Sequence, residues 1–276
     1  MSSESPRRPA LQNTSSCETH FWSPAPGSID LGTHNLHVWR ATLDLSRPAL
    51  DSLWQILSSD ERARSDRFHF QRDRDRFVSA RGCLRIILAR YLAIDPSAIR
   101  FTYGPYGKPF VANRVAATRG LTFNLAHSAC LALYAFAREC EIGIDLEQIR
   151  ADLAGDDIAE RFFSAAEVTR LRSLPPIQQT HAFFNCWTRK EAFIKARGTG
   201  LSQPLDQFDV TLGPGEPAVL LETKWDQSEA ARWSLQSIDL SSDFAAALAY
   251  EGRDRQISYW QFDEKTILND SSAIEI

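Results

Sequence analysis

The chain has 276 residues, of which 43% are hydrophobic, and its formal net charge at pH 7 is −4. This composition supports a substantial core, and at this length one core commonly divides into two lobes. The slight negative charge excludes a general electrostatic affinity for nucleic acids or membrane surfaces, and no apolar run approaches the roughly 18 residues of a membrane-spanning helix.

The N-terminal part combines an extension with the first predicted elements. Residues 1–33 are rich in Ser, Pro and Gly and are expected to form a poorly ordered extension. Residues 36–43 alternate in polarity, which predicts a strand, and the apolar spacing over 48–57 predicts a short helix. The five cysteines show no CxxC spacing and no signal-peptide pattern opens the chain, so we expect reduced thiols in a cytoplasmic protein.

An arginine-rich stretch follows. Residues 60–90 contain nine arginines and five acids. The second half of the stretch predicts an amphipathic helix with Arg74, Arg81 and Arg85 along one flank of its apolar stripe. This flank is either a solvated surface with salt bridges or an anion site for phosphates.

Two further features precede the middle of the chain. A dense turn signal over residues 103–109 holds Lys108 between a glycine and a proline. Residues 121–128 and 131–137 predict two strands joined near His127 and Ser128. A single histidine at a strand end is either structural or part of a site, and a Ser-His hydrolase is unsupported because no G-x-S-x-G motif occurs.

Residues 141–147 predict a strand that carries two carboxylates on one face. Asp145 and Glu147 are two residues apart and therefore project together, while Ile144 and Leu146 face the core. The pair is either a solvent-facing acidic strand end or part of a site for a divalent cation. All-oxygen ligation suits a hard ion such as Mg²⁺.

A predicted helix over residues 183–195 carries charge on its aromatic stripe. Phe183, Trp187, Glu191 and Lys195 are spaced by four and share one face. Either the helix turns out of the core at its end, or Glu191 meets a cation. Three carboxylates with separate basic groups at Arg64, Lys108 and Lys195 are typical of a metal-diphosphate site.

The residues after Pro204 predict the end of the fold. Five strands over 208–212, 218–221, 233–238, 244–250 and 257–262 are expected to complete a second sheet. Residues from Asp263 onward are expected to be unstructured.

At this point the motifs resemble those of the Sfp-type 4′-phosphopantetheinyl transferases. In order they are Phe123-Asn-Leu-Ala-His127-Ser128, Ile142-Gly-Ile-Asp145-Leu-Glu147, Arg161-Phe-Phe-Ser164-x-x-Glu167, Trp187-Thr-Arg-Lys-Glu191-Ala-Phe-Ile-Lys195 and Gly200-Leu201-Ser202. The resemblance covers about residues 57–210. Upstream it includes the arginine-rich stretch from Arg67-Phe68 through Arg81 and the turn Tyr106-Gly107-Lys108-Pro109.

The resemblance implies an α+β fold, a pseudo-dimer of two similar α+β subdomains with the active site in the cleft between them. We expect these subdomains at 34–139 and 140–276. It also implies transfer of the 4′-phosphopantetheine arm of coenzyme A to a serine of an apo carrier protein, whether acyl, polyketide or peptidyl, with release of adenosine 3′,5′-bisphosphate.

The resemblance assigns roles to individual residues. Asp145, Glu147 and Glu191 would hold Mg²⁺, or Mn²⁺ in its place, on the diphosphate. Glu191 would also be the general base, and Lys195 would contact the diphosphate or the leaving oxygen. The candidate coenzyme A contacts at the adenosine 3′-phosphate end are Arg64, Lys108 and His127.

The sequence departs from the surfactin-type pattern at two positions. Ala126 replaces a serine next to the histidine, and Phe77 replaces a threonine near the 3′-phosphate. Arg81 and Arg76 are candidate substitutes for these contacts. Arg161, Phe162 and Phe163 are candidate docking residues for the carrier protein, although the same aromatics suit the packing face of a helix.

Two other functions remain open from the sequence. The same acids could serve a Mg²⁺-dependent hydrolase of a coenzyme A-like diphosphate, or the chain could be a non-catalytic module that binds coenzyme A or a carrier protein. We expect a monomer that binds neither nucleic acid nor membrane.

Overall fold

The computed structural model describes residues 22–152 and 156–272. The helices are α1 Arg47–Ile56, α2 Ser59–Ser65, α3 Gln71–Leu92, α4 Asp156–Phe162, α5 Ala165–Ser173, α6 Pro176–Arg197, α7 Glu229–Arg232 and α8 Glu264–Ser272. The strands are β1 Ser23–Pro24, β2 Asn35–Thr42, β3 Phe101–Tyr103, β4 Pro109–Val111, β5 Leu121–Ser128, β6 Leu131–Arg138, β7 Ile142–Gln148, β8 Phe208–Val210, β9 Leu220–Thr223, β10 Trp233–Ser237, β11 Phe244–Glu251 and β12 Gln256–Phe262. The predicted α+β class is confirmed.

The same order of elements occurs twice. A strand, three helices, a two-stranded ribbon and two further strands run from β2 to β6, and the series from β7 to β11 repeats it with the short helix α7 added. The strands also pair in the same order, β5-β6-β2 in one sheet and β10-β11-β7 in the other. This internal repeat is the pseudo-dimeric arrangement expected from the sequence.

The two sheets pack face to face with helices outside. Along β6, Tyr134 and Phe136 contact the core under α3, whereas Leu133 and Ala135 lie in the core between the sheets. Along β11, Ala247 faces α6 and Leu248 faces the other sheet. Because both faces of these strands are covered, their sequences are almost continuously apolar.

Each long helix is anchored by the glutamate of a preceding capping box. In the first repeat Glu61 closes the box of α2 with Ser58, and its carboxylate pairs with Arg81 and Arg85 of α3 at 2.7 Å each. The second repeat uses the same device. Glu167 closes the box of α5 with Ser164 and pairs with Lys190 of α6 at 2.7 Å.

The last strand returns to the first repeat. β12 pairs in parallel with β2, in register from Gln256 opposite Asn35 to Phe262 opposite Ala41. The expectation that residues 257–262 complete the second sheet is therefore wrong, and strands 208–210 and 220–223 form a separate ribbon. The subdomain boundary at 139/140 stays a prediction, with β12 contributing across it.

The described residues near both ends of the chain are more ordered than expected. Residues 264–272 form α8, so the expectation of an unstructured tail is wrong there. Within the predicted extension, β1 pairs with β12 and the Trp22 ring packs edge-on against Tyr259. Residues 22–33 are thus a draped segment, and residues 1–21 lie outside the described residues. Among the described helices, none is long and apolar enough to cross a membrane.

A buried histidine makes stability depend on pH. His37 is 2% exposed, its Nδ1 lies 2.9 Å from the Tyr91 hydroxyl, and that hydroxyl accepts from Trp39 Nε1. Burial lowers the pKa of His37 from 6.5 to about 4, with a smaller opposing effect from Asp30.

Because the pKa of His37 is lower in the folded than in the unfolded protein, the unfolded protein binds the proton more tightly. The free energy of unfolding is therefore highest above the unfolded pKa and decreases as pH falls. We expect His37 to reduce the free energy of unfolding by about 2 kcal/mol between pH 7 and pH 5. Urea denaturation of wild type and His37→Gln at both pH values measures this. An equal pH 7 to pH 5 difference in the two proteins would contradict the assignment.

Candidate functional site

Strand β7 and helix α6 meet in backbone contact. A Cβ on Gly143 would lie 2.2 Å from both the Ala192 carbonyl oxygen and the Ala196 amide nitrogen, so only glycine permits this approach. Gly143, Asp145 and Glu147 share the face of β7 that contacts α6. The contact therefore brings the predicted carboxylate pair of β7 against the end of α6.

Lys195 and Asp145 form the centre of the site. Lys195 Nζ donates to Asp145 Oδ1 at 2.6 Å, and Lys195 keeps 31% of its side chain exposed while Asp145 is buried. The other carboxylate oxygen, Asp145 Oδ2, is buried without a hydrogen-bond partner. Burial alone would lower the pKa of Lys195, but the negative charge of Asp145 raises it, so the ammonium is kept charged.

Glu147 and Glu191 complete the acidic cluster. Both are half-buried, and Glu147 Oε2 accepts from Ser128 Oγ at 3.0 Å. Burial and the nearby charge of Asp145 raise the pKa of Glu147. Burial and the charges of Asp145 and Glu147 raise the pKa of Glu191 to about 7, with Lys195 opposing.

These acids suit a hard cation by their chemistry. The set is all oxygen, its members repel one another, and one buried carboxylate oxygen is unsatisfied. As the side chains stand, however, no group of three or more His, Cys, Asp or Glu within the described residues forms a closed metal site. Asp145 and Glu147 lie close enough to Glu191 to raise its pKa, and the role of the three acids as metal ligands stays a prediction.

A cleft beside Lys195 contains the next predicted contact. It measures about 240 Å³ and is lined by Tyr106, Gly107, Lys108, Pro109, Asn124, Leu125, Lys195, Gly198 and Gly200. Lys108 extends across it from the first repeat. Its Nζ donates to the carbonyl oxygen of Ala196 on α6 at 3.1 Å and pairs with Glu141, just before β7, at 3.2 Å. The turn that the sequence predicted therefore places Lys108 at the junction of the two repeats.

Arg64 and Lys195 lie close enough to His127 for their charges to act on its imidazole. Arg64 and His127 are exposed at the surface, Arg64 on α2 and His127 at the end of β5. The surrounding protein lowers the pKa of His127, and the charges of Lys195 and Arg64 lower it further. Three cationic or potentially cationic groups are therefore close enough to influence one another, which favours an anion between them.

Arg81 has a different environment from the one the sequence suggested. Its side chain is 10% exposed, its Nε pairs with Glu61, and its NH2 donates to the Tyr103 hydroxyl at 2.6 Å. The guanidinium also lies 4.3 Å from the centre of the Phe101 ring. These contacts hold α2, α3 and the β3–β4 ribbon together, and the role of Arg81 as a coenzyme A contact stays a prediction. Arg76, the other candidate substitute, pairs with Asp44 at 2.7 Å.

A second, apolar cavity lies on the other side of Glu147. It measures about 250 Å³ and is lined by Glu147, Arg150, Ile158, Phe183, Phe184 and Trp187. Of the candidate docking residues nearby, Arg161 is exposed and Phe162 packs edge-on against Trp187. Phe163 is 3% exposed and belongs to the core under α6, which leaves it no part in docking.

The sequence reasoning missed two residues that shape the site. The sequence motifs contain Gly143 and Ser128 but do not show the contacts that these two residues make. The signal for Gly143 was a glycine inside a strand pattern, which indicates close approach of another backbone. Ser128 left no such signal, because its partners are distant in sequence.

Two family models match the chain. One is described as the 4′-phosphopantetheinyl transferase superfamily and matches residues 141–249, and the other, described as 4′-phosphopantetheinyl transferase, N-terminal, matches residues 41–139. The boundary between the two matches falls at the start of β7, where the second repeat begins.

Individual relatives agree with these models. The 4′-phosphopantetheinyl transferase HetI of Nostoc sp. is 40% identical over 243 residues, which cover 88% of this chain and 99% of that protein. The 4′-phosphopantetheinyl transferase Sfp of Bacillus subtilis is 34% identical over 168 residues, covering 61% of this chain and 72% of that protein. The solved holo-[acyl-carrier-protein] synthase of Thermotoga maritima is 22% identical, with a TM-score of 0.33 over 41% of this chain and 63% of that one.

The contact at Gly143 yields a test of how the site is built. We expect Gly143→Ala to cost about 3 kcal/mol or more of unfolding free energy, because the new methyl group meets backbone atoms that cannot rotate away. Urea denaturation measures the cost. Gly32→Ala is the control, since no atom lies within 4 Å of its added Cβ, and equal stability of the two variants would contradict the close approach.

Proposed function

The chain belongs to the 4′-phosphopantetheinyl transferase superfamily, and on that premise we propose that it transfers the phosphopantetheine arm of coenzyme A to a serine of an apo carrier protein. The observation that carries the proposal is the junction of the two repeats. There the Lys195–Asp145 pair lies beside Glu147 and Glu191 and opens onto a cleft that contains Lys108. This combination offers separate places for a diphosphate, a cation and a nucleotide.

The acids define the reacting end of the substrate. We propose that Asp145, Glu147 and Glu191 hold Mg²⁺, with Mn²⁺ as an alternative; the ion would neutralise charge on the diphosphate oxygens. Asp145 Oδ2 has no other partner, which supports this assignment. Asp145 Oδ1 is used by Lys195, so the buried carboxylate would serve the ion and the lysine through different oxygens.

The reaction replaces the phosphoanhydride bond of the coenzyme A diphosphate with a phosphate ester bond to the carrier serine. The carrier serine Oγ bonds to the phosphorus that bears the pantetheine arm, the serine proton goes to a base, and the bond to the oxygen of adenosine 3′,5′-bisphosphate breaks. Glu191 is the proposed base, directly or through a water. Its carboxylate is half-buried, and without a bound ion, burial and the charges of Asp145 and Glu147 raise its pKa to about 7.

Lys195 has the complementary task. Its pKa is raised by Asp145, so the ammonium stays protonated and can offset the charge that develops on the leaving oxygen. Lys108, Arg64 and His127 are proposed to bind the adenosine 3′-phosphate end. Arg64 and His127 are exposed, the surrounding protein and the charges of Lys195 and Arg64 lower the pKa of His127, and Lys108 lines the adjacent cleft.

The carrier protein must reach Glu191 from the side that the nucleotide does not occupy. Arg150 and Arg161 are exposed there beside the apolar cavity at Glu147, which suits a partner with an acidic and apolar surface. A cytoplasmic location stays a prediction and is supported by four free cysteines at positions 83, 130, 140 and 186. A monomeric state stays a prediction as well.

Replacement of the base tests the mechanism. We expect Glu191→Gln to lower turnover by about 10²- to 10⁴-fold, because proton transfer is lost while the side-chain volume is kept, with a much smaller change in coenzyme A binding. The measurement is the mass gain of apo carrier protein with coenzyme A and Mg²⁺, together with calorimetric binding of coenzyme A.

Glu222→Gln, an exposed position on β9, is the matched control. Wild-type turnover in Glu191→Gln would reject Glu191 as the base. If wild type modifies none of a panel of carriers, the transferase proposal fails, and coenzyme A cleavage without a carrier would then indicate the hydrolase.

The nucleotide end has its own test. We expect wild type to prefer coenzyme A over 3′-dephospho-coenzyme A, and Arg64→Ala to reduce that preference by about 10-fold or more, since a charge-assisted hydrogen bond contributes roughly 1.5–3 kcal/mol. The measured quantity is the ratio of kcat/KM values for the two substrates. Arg72→Ala, on the exposed start of α3, serves as the control, and an unchanged ratio in Arg64→Ala would exclude the contact.

A further inference from the structure

Side chains of β5 hydrogen-bond to backbone groups along the edge of β7 and just before it, and these bonds join the two repeats. On β5, Thr122, Asn124 and Ser128 point to the same side, since they are separated by even numbers of residues. Thr122 Oγ1 donates to the Cys140 carbonyl oxygen at 2.5 Å. Asn124 Oδ1 accepts from the Ile144 amide at 3.0 Å, and four residues further on Ser128 Oγ accepts from the Gln148 amide at 3.0 Å.

These bonds replace a strand partner. The other edge of β7 pairs with β11 over Ile142 to Gln148. On the edge toward β5, the matched spacing of Asn124 to Ser128 and Ile144 to Gln148 fixes the register of the two strands. Buried backbone amides need partners, so these contacts are required for the sheets to pack as they do.

The Ser128 hydroxyl also bonds to a carboxylate of the acidic cluster. It donates to Glu147 Oε2 at 3.0 Å while it accepts from the Gln148 amide. A hydroxyl has one proton, so the amide on its lone pair directs that proton toward the carboxylate. Glu147 is thereby held by a group that is itself fixed to the backbone of the neighbouring residue.

The neighbouring residue on β5 serves the other end of the site. His127 projects to the opposite face of the strand from Ser128, and it senses the charges of Arg64 and Lys195. Two consecutive residues of one strand therefore interact with different groups of the site, Ser128 with Glu147 and His127 with Arg64 and Lys195. A shift of β5 along β7 would change both sets of interactions together.

We propose that Ser128 is a positioning residue of the transfer reaction: it orients the Glu147 carboxylate toward the bound divalent cation and ties that orientation to the register of the two repeats. The inference rests on the proposed function. It concerns a group that contacts neither the substrate nor the cation and acts through Glu147. Partners that orient a metal ligand in this way commonly change metal affinity or activity by about 10- to 100-fold when removed.

The test compares Ser128→Ala, Ser128→Thr and Thr122→Val in the full-length protein. Binding of Mn²⁺ at saturating coenzyme A is followed by electron paramagnetic resonance, and the Mg²⁺ concentration for half-maximal turnover is measured with a carrier protein. We expect Ser128→Ala to weaken Mn²⁺ binding about 10-fold or more and to raise the Mg²⁺ requirement by a similar factor. Ser128→Thr keeps the hydroxyl and is expected to stay within about threefold of wild type.

Thr122→Val is the matched control, because it removes a hydroxyl from the same row without touching a carboxylate. Melting temperatures separate a loss of stability from a loss of metal affinity. The inference is overturned if Ser128→Ala binds Mn²⁺ like wild type, if Thr122→Val weakens binding equally, or if Ser128→Thr is as weak as Ser128→Ala. A wild type that binds Mn²⁺ and coenzyme A but modifies no carrier would instead count against the proposed function.

Discussion

The approach of α6 to β7 is the constraint on which the candidate site depends. Gly143 lets the helix backbone lie against the strand, and this places Lys195 Nζ 2.6 Å from Asp145 Oδ1. Glu191, one turn earlier on the same helix, then faces the carboxylates of β7, and their repulsion accounts for part of its raised pKa. The acidic cluster is costly to form without a counter-ion, and the structure accepts that cost at a point between its two repeats.

Each repeat holds its long helix by the same physical means. A capping-box glutamate caps the N-terminus of a short helix and also pairs with a buried cation on the following 22-residue helix, Glu61 with Arg81 and Arg85, and Glu167 with Lys190. A buried ion pair contributes little net stability but penalises any arrangement that separates the charges. The ion pair therefore fixes the position of each long helix along its axis and its rotation about that axis, relative to the short helix before it. In the second repeat this matters directly, because Lys190 precedes Glu191 on α6.

The sequence was most informative where periodicity and chemistry agreed. Alternation along residues 142–147 predicted Asp145 and Glu147 on one face of a strand. The spacing of four residues predicted Glu191 and Lys195 on one side of a helix. The structure has both arrangements. The sequence could not show that Arg81 and Arg85 share Glu61 as a partner, since that pairing depends on how α2 folds back on α3. Nor could it assign β12 to the first sheet, because an apolar strand pattern does not specify which edge it joins. The hydrogen bonds of Asn124 and Ser128 to the β7 backbone could not be predicted either, because the sequence does not show which strand lies beside β5.

The return of β12 to β2 has a consequence for the order in which the molecule can be made. Residues 35–41 pair with residues 256–262, so the first sheet cannot be completed until residues 256–262 have left the ribosome. A parallel pairing across more than two hundred residues also raises the contact order and slows folding. Until then the backbone N–H and C=O groups on the edge of β2 that later pairs with β12 have no strand partner. The two repeats, although built alike, are therefore not two independent folding units, and a nascent first half has reason to need protection from pairing with other chains.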